Sequence, residues 1–227
     1  MDFGRLAGSD QINARIYACL GRLHSSDVNN FVRKFRQDSD AQRFHTYREL
    51  LFGAYAIECG WNLRYEHRVG GKTPDWVLRT ANSVVTEIVD VVTLHQRYDI
   101  DADISRGLGM NGIWTGWITV PPEHVFSKIE AKATQYSSLV KELGVPYVVA
   151  VFGEFTASIN LLDVEHVLYD FHGGLFRNRP TLAGVILFRE KRGAYEFTYY
   201  PNRDAIHPSA IAARPRGTTA EWAGPPT

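Results

Sequence analysis

Two acidic residues stand on neighbouring predicted strands within one short stretch of the chain. Asp75 opens the stretch Asp75-Trp76-Val77-Leu78, and Glu87 follows twelve residues later, inside the valine-rich run 83–92. Because neighbouring strands lie about 4.8 Å apart, the two carboxylates can point to the same face of a sheet. Carboxylates held in this way bind Mg²⁺ or Mn²⁺, and such ions assist the hydrolysis of phosphodiesters. The spacing therefore predicts a metal-dependent hydrolytic site.

A second interpretation of these two acids is purely structural. Glu87 shares its face of the predicted strand with three valines, and a charged carboxylate there needs a metal, hydrogen bonds or a charge partner. A structural ion pair would meet that need as well as a metal would. Asp75 by itself is also compatible with a surface turn after Pro74. The order of the two acids together favours a site.

Glu49 is a third candidate acid, on the helix predicted before these strands. Gly53, Ala56 and Gly60 follow it at helical spacing, and their small side chains would let this helix face lie close to a sheet. Glu49 could then reach the same metal. The alternative is local, because Thr46-x-x-Glu49 matches a capping box for a helix that starts at Tyr47.

A metal-dependent site of this kind normally has a lysine two residues after the second acid. In this chain that position is occupied by Val89. A helix predicted over 123–143 has an apolar stripe, and beside it runs a row formed by Lys128, Lys132 and Gln135. A lysine at the edge of a buried face can bury its stem and extend its amine toward the sheet. The alternative for this row is a solvated flank of an amphipathic helix.

The composition indicates a cytoplasmic protein with one compact α/β domain, or with one domain plus an appendage. The chain has 227 residues with 25 basic and 25 acidic side chains, so its net charge neither announces nor excludes a nucleic-acid partner. Cys19 and Cys59 have no metal-ligand spacing and are predicted to be reduced core residues of a cytosolic protein. Neither a signal peptide nor a membrane span is recognisable. A basic patch leading to Glu49, or else a solvated helix face, is formed by Arg33, Lys34, Arg36, Arg43 and Arg48.

Hydrophobic periodicity predicts a mixed β-sheet flanked by helices. Three parts are expected: an N-terminal helical extension over 1–38, an α/β domain over 39–207 and a flexible tail over 208–227. The long segment 93–122 carries Trp114 and Trp117 and is expected to close over or select a substrate. The predicted helices span 11–23, 27–35, 39–59, 123–143 and 161–169, and the predicted strands span 61–69, 74–79, 83–92, 145–152, 182–189 and 195–200, the last two forming a C-terminal hairpin.

These motifs resemble those of the PD-(D/E)xK nuclease superfamily, over about residues 40 to 152. Pro74-Asp75 matches the "PD", Glu87-Ile88-Val89 matches the "(D/E)xK" with its lysine replaced, and Glu49 matches an acid on the preceding helix. The stretch Lys128-Ile129-x-x-Lys132-Ala133-x-x-Tyr136 and the segments 145–151 and 199–208 are similar to those of a bacterial group in this superfamily.

The resemblance implies a restriction-endonuclease-like fold with an α-β-β-β-α-β core, and an activity. The implied activity is a magnesium- or manganese-dependent nuclease acting on DNA. Lys132, at a place where related nucleases carry a glutamine, is the first candidate for a relocated catalytic lysine, and Lys128 is the second. A catalytically inactive protein that binds nucleic acid or a partner protein stays open, as do a homodimer and a nuclease that works only within a complex. The implied metal ligands are the side chains of Asp75, Glu87 and Glu49 and the carbonyl of Ile88.

Overall fold

A seven-stranded mixed sheet forms the centre of the protein, in a computed structural model that describes residues 10–37, 40–94, 121–153, 160–170, 173–191 and 193–225. The strands lie side by side in chain order. They are β1 (Leu63–Tyr65), β2 (Trp76–Arg79), β3 (Val85–Leu94), β4 (Tyr147–Gly153), β5 (Leu182–Lys191), β6 (Ala194–Pro201) and β7 (Thr219–Trp222).

The type of strand pairing changes twice across the sheet, from antiparallel to parallel and back to antiparallel. β1, β2 and β3 form an antiparallel meander, β3, β4 and β5 are parallel, and β5, β6 and β7 are again antiparallel. A parallel pair requires a crossover, and helices lie in the connections on both sides of β4. The helices are α1 (Asp10–Leu20), α2 (Ser25–Gln37), α3 (Asp40–Glu58), α4 (Pro122–Leu143), α5 (Leu161–Tyr169) and α6 (Leu175–Asn178).

Each face of the sheet has its own hydrophobic core. On one face, α1, α2 and α3 pack over inward residues such as Trp76 and Val89. On the other face, α4, α5 and α6 cover residues such as Ile88 and Val149. The alternation of strand side chains therefore decides which group of helices each residue of β3 meets.

The predicted elements are present, with shifted ends and one clear shortening. The strand expected over 61–69 is only three residues long, because Glu66 adopts a positive φ of 47° and the chain turns there. β3 runs two residues further than expected, to Leu94, and Leu161–Tyr169 is helical as predicted. The predicted closure over a substrate by Trp114 and Trp117 lies outside the described residues, as does the rest of 95–120.

The two ends of the chain are more integrated than the sequence suggested. Ile16 and Phe31, in the expected N-terminal extension, belong to the same core as Trp76. The segment expected to be a flexible tail contributes β7 to the sheet, and its residues Ser209 and Ile211 are buried. Both were difficult to predict because their partners are distant in sequence.

Both cysteines are free thiols. Cys19 is buried, as predicted, but Cys59 is exposed, so the prediction that it lies in the core is wrong. Among the helices that the structure describes, none is long and apolar enough to cross a membrane.

Candidate active site

The register of the sheet places Asp75 beside Asp90. Trp76 pairs with Val89 across the antiparallel strands, so the residue before Trp76 is level with the residue after Val89. The backbone N–H of Asp75 lies 3.4 Å from Asp90 Oδ1. In return, the backbone N–H of Val91 donates to Asp75 Oδ2 at 2.7 Å. Two carboxylates are thus brought together, but the second is Asp90.

Glu87 lies elsewhere, and this corrects the expected pairing of Asp75 with Glu87. It pairs with Leu78, three residues along β2 from Asp75, or about 10 Å at the usual rise of a strand. Its carboxylate accepts hydrogen bonds from the Ser209 hydroxyl and from the backbone N–H groups of Ala210 (3.1 Å) and Ile211 (3.4 Å). Burial raises the pKa of Glu87 to about 7, against the opposing effect of these hydrogen bonds.

Ile88, whose carbonyl was expected to add a metal ligand, lies in the middle of the sheet. It pairs with Val77 on one side and Tyr147 on the other. Its expected role depended on Glu87 being the second acid, and the residue that now follows the second acid is Val91.

Asp90 is held by side-chain donors from two elements, α4 and β4. Lys132 of α4 contributes its ammonium, which lies 3.3 Å from Asp90 Oδ1. The hydroxyl of Tyr147, at the start of β4, donates to Asp90 Oδ2 at 2.9 Å. The Asp90 side chain is 1% exposed and that of Lys132 is 29% exposed, so the pair lies at the edge of a buried region. Burial opposes the charge on Lys132, but the nearby Asp90 and Asp75 raise its pKa above the ordinary value.

Tyr147 is fully buried and keeps its proton. Burial and the charge of Asp90 raise the pKa of Tyr147 well above its ordinary value, so that it acts as a hydrogen-bond donor to that carboxylate. Its ring stacks on the ring of Tyr136 from α4, with centroids 5.1 Å apart. The stack fixes the tyrosine that orients Asp90.

Glu49 approaches the site from the opposite face of the sheet. The indole N–H of Trp76 donates to the backbone carbonyl of Glu49 at 3.0 Å. The close approach depends on Gly53, since a Cβ there would lie 2.0 Å from the Trp76 ring. The predicted close contact between α3 and the sheet is confirmed at this position.

The Glu49 carboxylate already has several partners. His45 Nε2 lies at 3.2 Å, Lys34 Nζ at 3.4 Å, and the Tyr65 hydroxyl donates a third hydrogen bond. Burial alone would raise the pKa of Glu49, but the hydrogen bond from His45 and the charge of Lys34 bring it below the ordinary value. Glu49 is therefore a buried anion.

The pKa of Asp75 is affected by the other two carboxylates, Glu49 and Asp90. Its pKa lies well above the ordinary value, because the carboxyl is buried and because Glu49 and Asp90 are close. Lys132 and the N–H of Val91 oppose that shift without cancelling it. The charged form of Asp75 is thus disfavoured, and an additional cation would stabilise it.

The other basic residues singled out in the sequence lie at different places from Lys132. Lys128 is exposed on α4, one turn before Lys132. Lys72, on the turn before β2, donates to the Gln135 carbonyl and lies 5.3 Å from the centre of the Tyr136 ring. Within the expected basic patch, Lys34 contacts Glu49, whereas Arg48 is buried with its guanidinium 4.7 Å from the Phe152 ring.

The donor chemistry suits a hard cation. Asp75, Asp90 and Glu49 offer carboxylate oxygens, which Mg²⁺ and Mn²⁺ prefer. Within the described ranges, no three histidine, cysteine, aspartate or glutamate side chains converge in a geometry that could hold a metal ion. The carboxylates of Asp90 and Glu49 already have donors from the protein itself.

Sequence reasoning missed four residues of this site: Asp90, Tyr147, His45 and Tyr65. A signal existed for Asp90, because it is the second charged residue in the buried run that forms β3. The other three become recognisable only once the sheet register and the position of α3 are known. Comparisons with models of protein families, with curated proteins and with solved structures found no match to this chain.

Proposed function

We propose that this protein is a metal-dependent nuclease that hydrolyses phosphodiester bonds in DNA, on a restriction-endonuclease-like scaffold. The observation that carries the proposal is the grouping of Asp75, Asp90 and Lys132: a carboxylate immediately before β2, a carboxylate on β3 and an ammonium 3.3 Å from the second carboxylate. The lysine that is missing from β3 has a substitute on the crossover helix. The elements from α3 to β4 follow the order helix, three strands, helix, strand.

Asp75 and Asp90 would hold Mg²⁺ or Mn²⁺, with Glu49 behind them as a third acid. When bound, the ion would neutralise charge that develops on the phosphate during hydrolysis. The raised pKa of Asp75 supports this assignment, since a cation would favour the ionised carboxylate and offset the charges of Glu49 and Asp90.

Lys132 would act as a fixed positive charge. Its raised pKa keeps it protonated at neutral pH, so it is suited to donate hydrogen bonds to phosphate oxygens and unsuited to accept a proton. A preorganised donor of this kind stabilises developing negative charge without reorganisation. The hydrogen bond from Tyr147 would keep the Asp90 carboxylate oriented toward Lys132.

An alternative is a catalytically inactive protein on the same scaffold that binds nucleic acid or a protein partner. One observation favours it: Asp90 and Glu49 are already satisfied by Lys132, Tyr147, Lys34 and His45. In that case the cluster would stabilise the fold, and no ion would be required.

The deciding experiment is cleavage of linear, circular and single-stranded DNA and of RNA, with Mg²⁺ or Mn²⁺ and with chelator, by the wild type and by Asp75→Ala. We expect metal-dependent cleavage of DNA that Asp75→Ala abolishes. Activity that survives in Asp75→Ala would overturn the assigned site. Intact DNA binding without cleavage of any substrate would favour the alternative.

A further inference from the structure

We propose that Lys128 is a substrate-binding residue that contacts a backbone phosphate next to the cleaved bond. The inference deepens the proposed function and rests on it. It assigns Lys128 a role in affinity and separates that role from the role of Lys132 in the reaction.

Three lysine amines lie along the side of α4 that borders the site, two from the helix itself and one from the turn before β2, and two of the three have partners. Lys132 contacts Asp90, and Lys72 reaches across from the turn before β2 to the Gln135 carbonyl. Lys128 has no carboxylate partner among the residues that the structure describes, and its side chain is exposed. Glu130, two residues further along α4, points to a different side of the helix and is paired with Arg179 at 2.7 Å.

The position of Lys128 fits a bound strand. Residues four apart lie on one face of a helix, with an axial rise of about 6 Å. Lys128 therefore lies one helical turn beyond the ammonium that we assign to the reacting phosphate. A DNA strand carries a phosphate for every ~3.4 Å of duplex axis, so Lys128 would meet a phosphate one or two nucleotides away.

The electrostatic balance also favours an anionic ligand at this position. Two lysines at positions i and i+4 repel each other by about 0.2–0.5 kcal/mol. The charge of Lys132 is compensated by Asp90 and Asp75, while that of Lys128 is left to the solvent. A phosphate would remove the repulsion, and the long, flexible stem of lysine suits a point contact with one phosphate oxygen.

The test is fluorescence anisotropy with a labelled single-stranded and a labelled duplex DNA, in chelator and over a series of salt concentrations. Lys128→Ala is compared with Lys141→Ala, an exposed lysine on the same helix about 14 Å from Lys132 along its axis. We expect Lys128→Ala to reduce the slope of log K against log salt by about 0.7–0.9, the loss of one phosphate contact. Lys128→Arg should keep the wild-type slope, and so should Lys141→Ala.

Under cleavage conditions, Lys128→Ala should raise KM and leave kcat unchanged, because the contact is the same in substrate and transition state. A wild-type salt slope in Lys128→Ala would overturn the inference, while Asp75-dependent cleavage would still support the nuclease. Conversely, a reduced slope in a protein that cleaves nothing would support a DNA phosphate contact at Lys128, but it would reject the nuclease and with it the place of that contact next to a cleaved bond. A fall in kcat with unchanged KM would also reject the binding role.

Discussion

The Lys132 ammonium lies 3.3 Å from Asp90 Oδ1, so that helix α4 supplies a positive charge to a carboxylate in the centre of the sheet. Valines occupy positions 89, 91 and 92 of β3, and that strand therefore has no cation of its own near Asp90. The hydroxyl of Tyr147 holds the other oxygen of the same carboxylate at 2.9 Å. The ammonium is thus fixed in position before any ligand binds, which is the arrangement that electrostatic stabilisation requires.

Replacement of Lys132 by methionine should lower kcat by about 10²–10³-fold, the usual effect of removing one preorganised donor to developing negative charge. Single-turnover cleavage of a labelled DNA at saturating protein measures this. Lys141→Met, on the same helix, serves as the control and should be fully active. Wild-type kcat in Lys132→Met would mean that the lysine only balances the charge of Asp90.

The two acids of β3 should respond differently to neutralisation. Asp90→Asn should lower kcat by roughly 100-fold or more, since a metal ion contributes several kcal/mol and each 1.4 kcal/mol is a factor of ten. Glu87→Gln should retain cleavage, because its contacts are with Ser209 and Ala210 and not with Asp75. Cleavage assays of the two variants side by side decide between them. The reverse result would restore the pairing of Asp75 with Glu87.

This contrast shows what the sequence could and could not predict. Asp75 and Lys132 can be proposed from the sequence because each depends on a local pattern: an acid that enters a strand, and a lysine beside an apolar helix stripe. The choice between Glu87 and Asp90 depends on the register of β2 against β3, with Trp76 opposite Val89. A shift of register moves every side chain to a new neighbour, and a valine-rich run that is apolar on both faces does not define that register by itself.

The proline-rich C-terminus illustrates a second limit. Its composition is typical of a loose tail, yet Ser209 and Ala210 bind a carboxylate more than 120 residues away in the chain, and β7 pairs with β6. A buried acid such as Glu87 requires donors, but its sequence position does not indicate where they come from. Which distant residues donate hydrogen bonds to a buried carboxylate is determined by how the folded chain packs.

Tyr147→Phe should separate positioning from folding. The change removes the donor to Asp90 Oδ2, and loss of such an outer partner typically costs about 10–100-fold in metal affinity or activity. Because the acceptor is charged, the free energy of unfolding should also fall by about 1.5–3 kcal/mol. The measurements are kcat as a function of Mg²⁺ concentration, and urea denaturation.

The matched control for Tyr147 is Tyr169→Phe, which loses a tyrosine hydrogen bond of 2.9 Å to the Pro201 carbonyl. It should lose about 0.5–1.5 kcal/mol of stability and keep its kcat and Mg²⁺ dependence. If Tyr147→Phe and Tyr169→Phe had the same kcat and the same Mg²⁺ dependence, Tyr147 would contribute only to folding.

Gly53→Ala should destabilise the protein although alanine favours helices. Its Cβ would lie 2.0 Å from the Trp76 ring, which is fully buried next to Asp75. Overpacking of this kind costs about 1–3 kcal/mol in the free energy of unfolding. Gly21→Ala is the control, since its nearest new contact is 3.5 Å, and it should change stability by less than about 0.5 kcal/mol. Urea denaturation of both variants tests the claim that α3 approaches the sheet through Gly53.

Glu87 should give the stability of the protein a distinctive dependence on pH. Its pKa is raised by burial from 4.5 to about 7, so the folded protein binds its proton more tightly than the unfolded chain does. A raised folded-state pKa contributes stability that is complete below pH 4.5 and is lost as the pH rises through 7. The stability of the wild type relative to Glu87→Gln should therefore decrease as the pH rises between these two values, by at most about 1.4 kcal/mol per pH unit.

Urea denaturation of both proteins across this pH range measures the difference, and comparing the two proteins removes contributions from the acids around Asp75. Parallel curves would show that the hydrogen bonds from Ser209, Ala210 and Ile211 keep Glu87 ionised in spite of its burial.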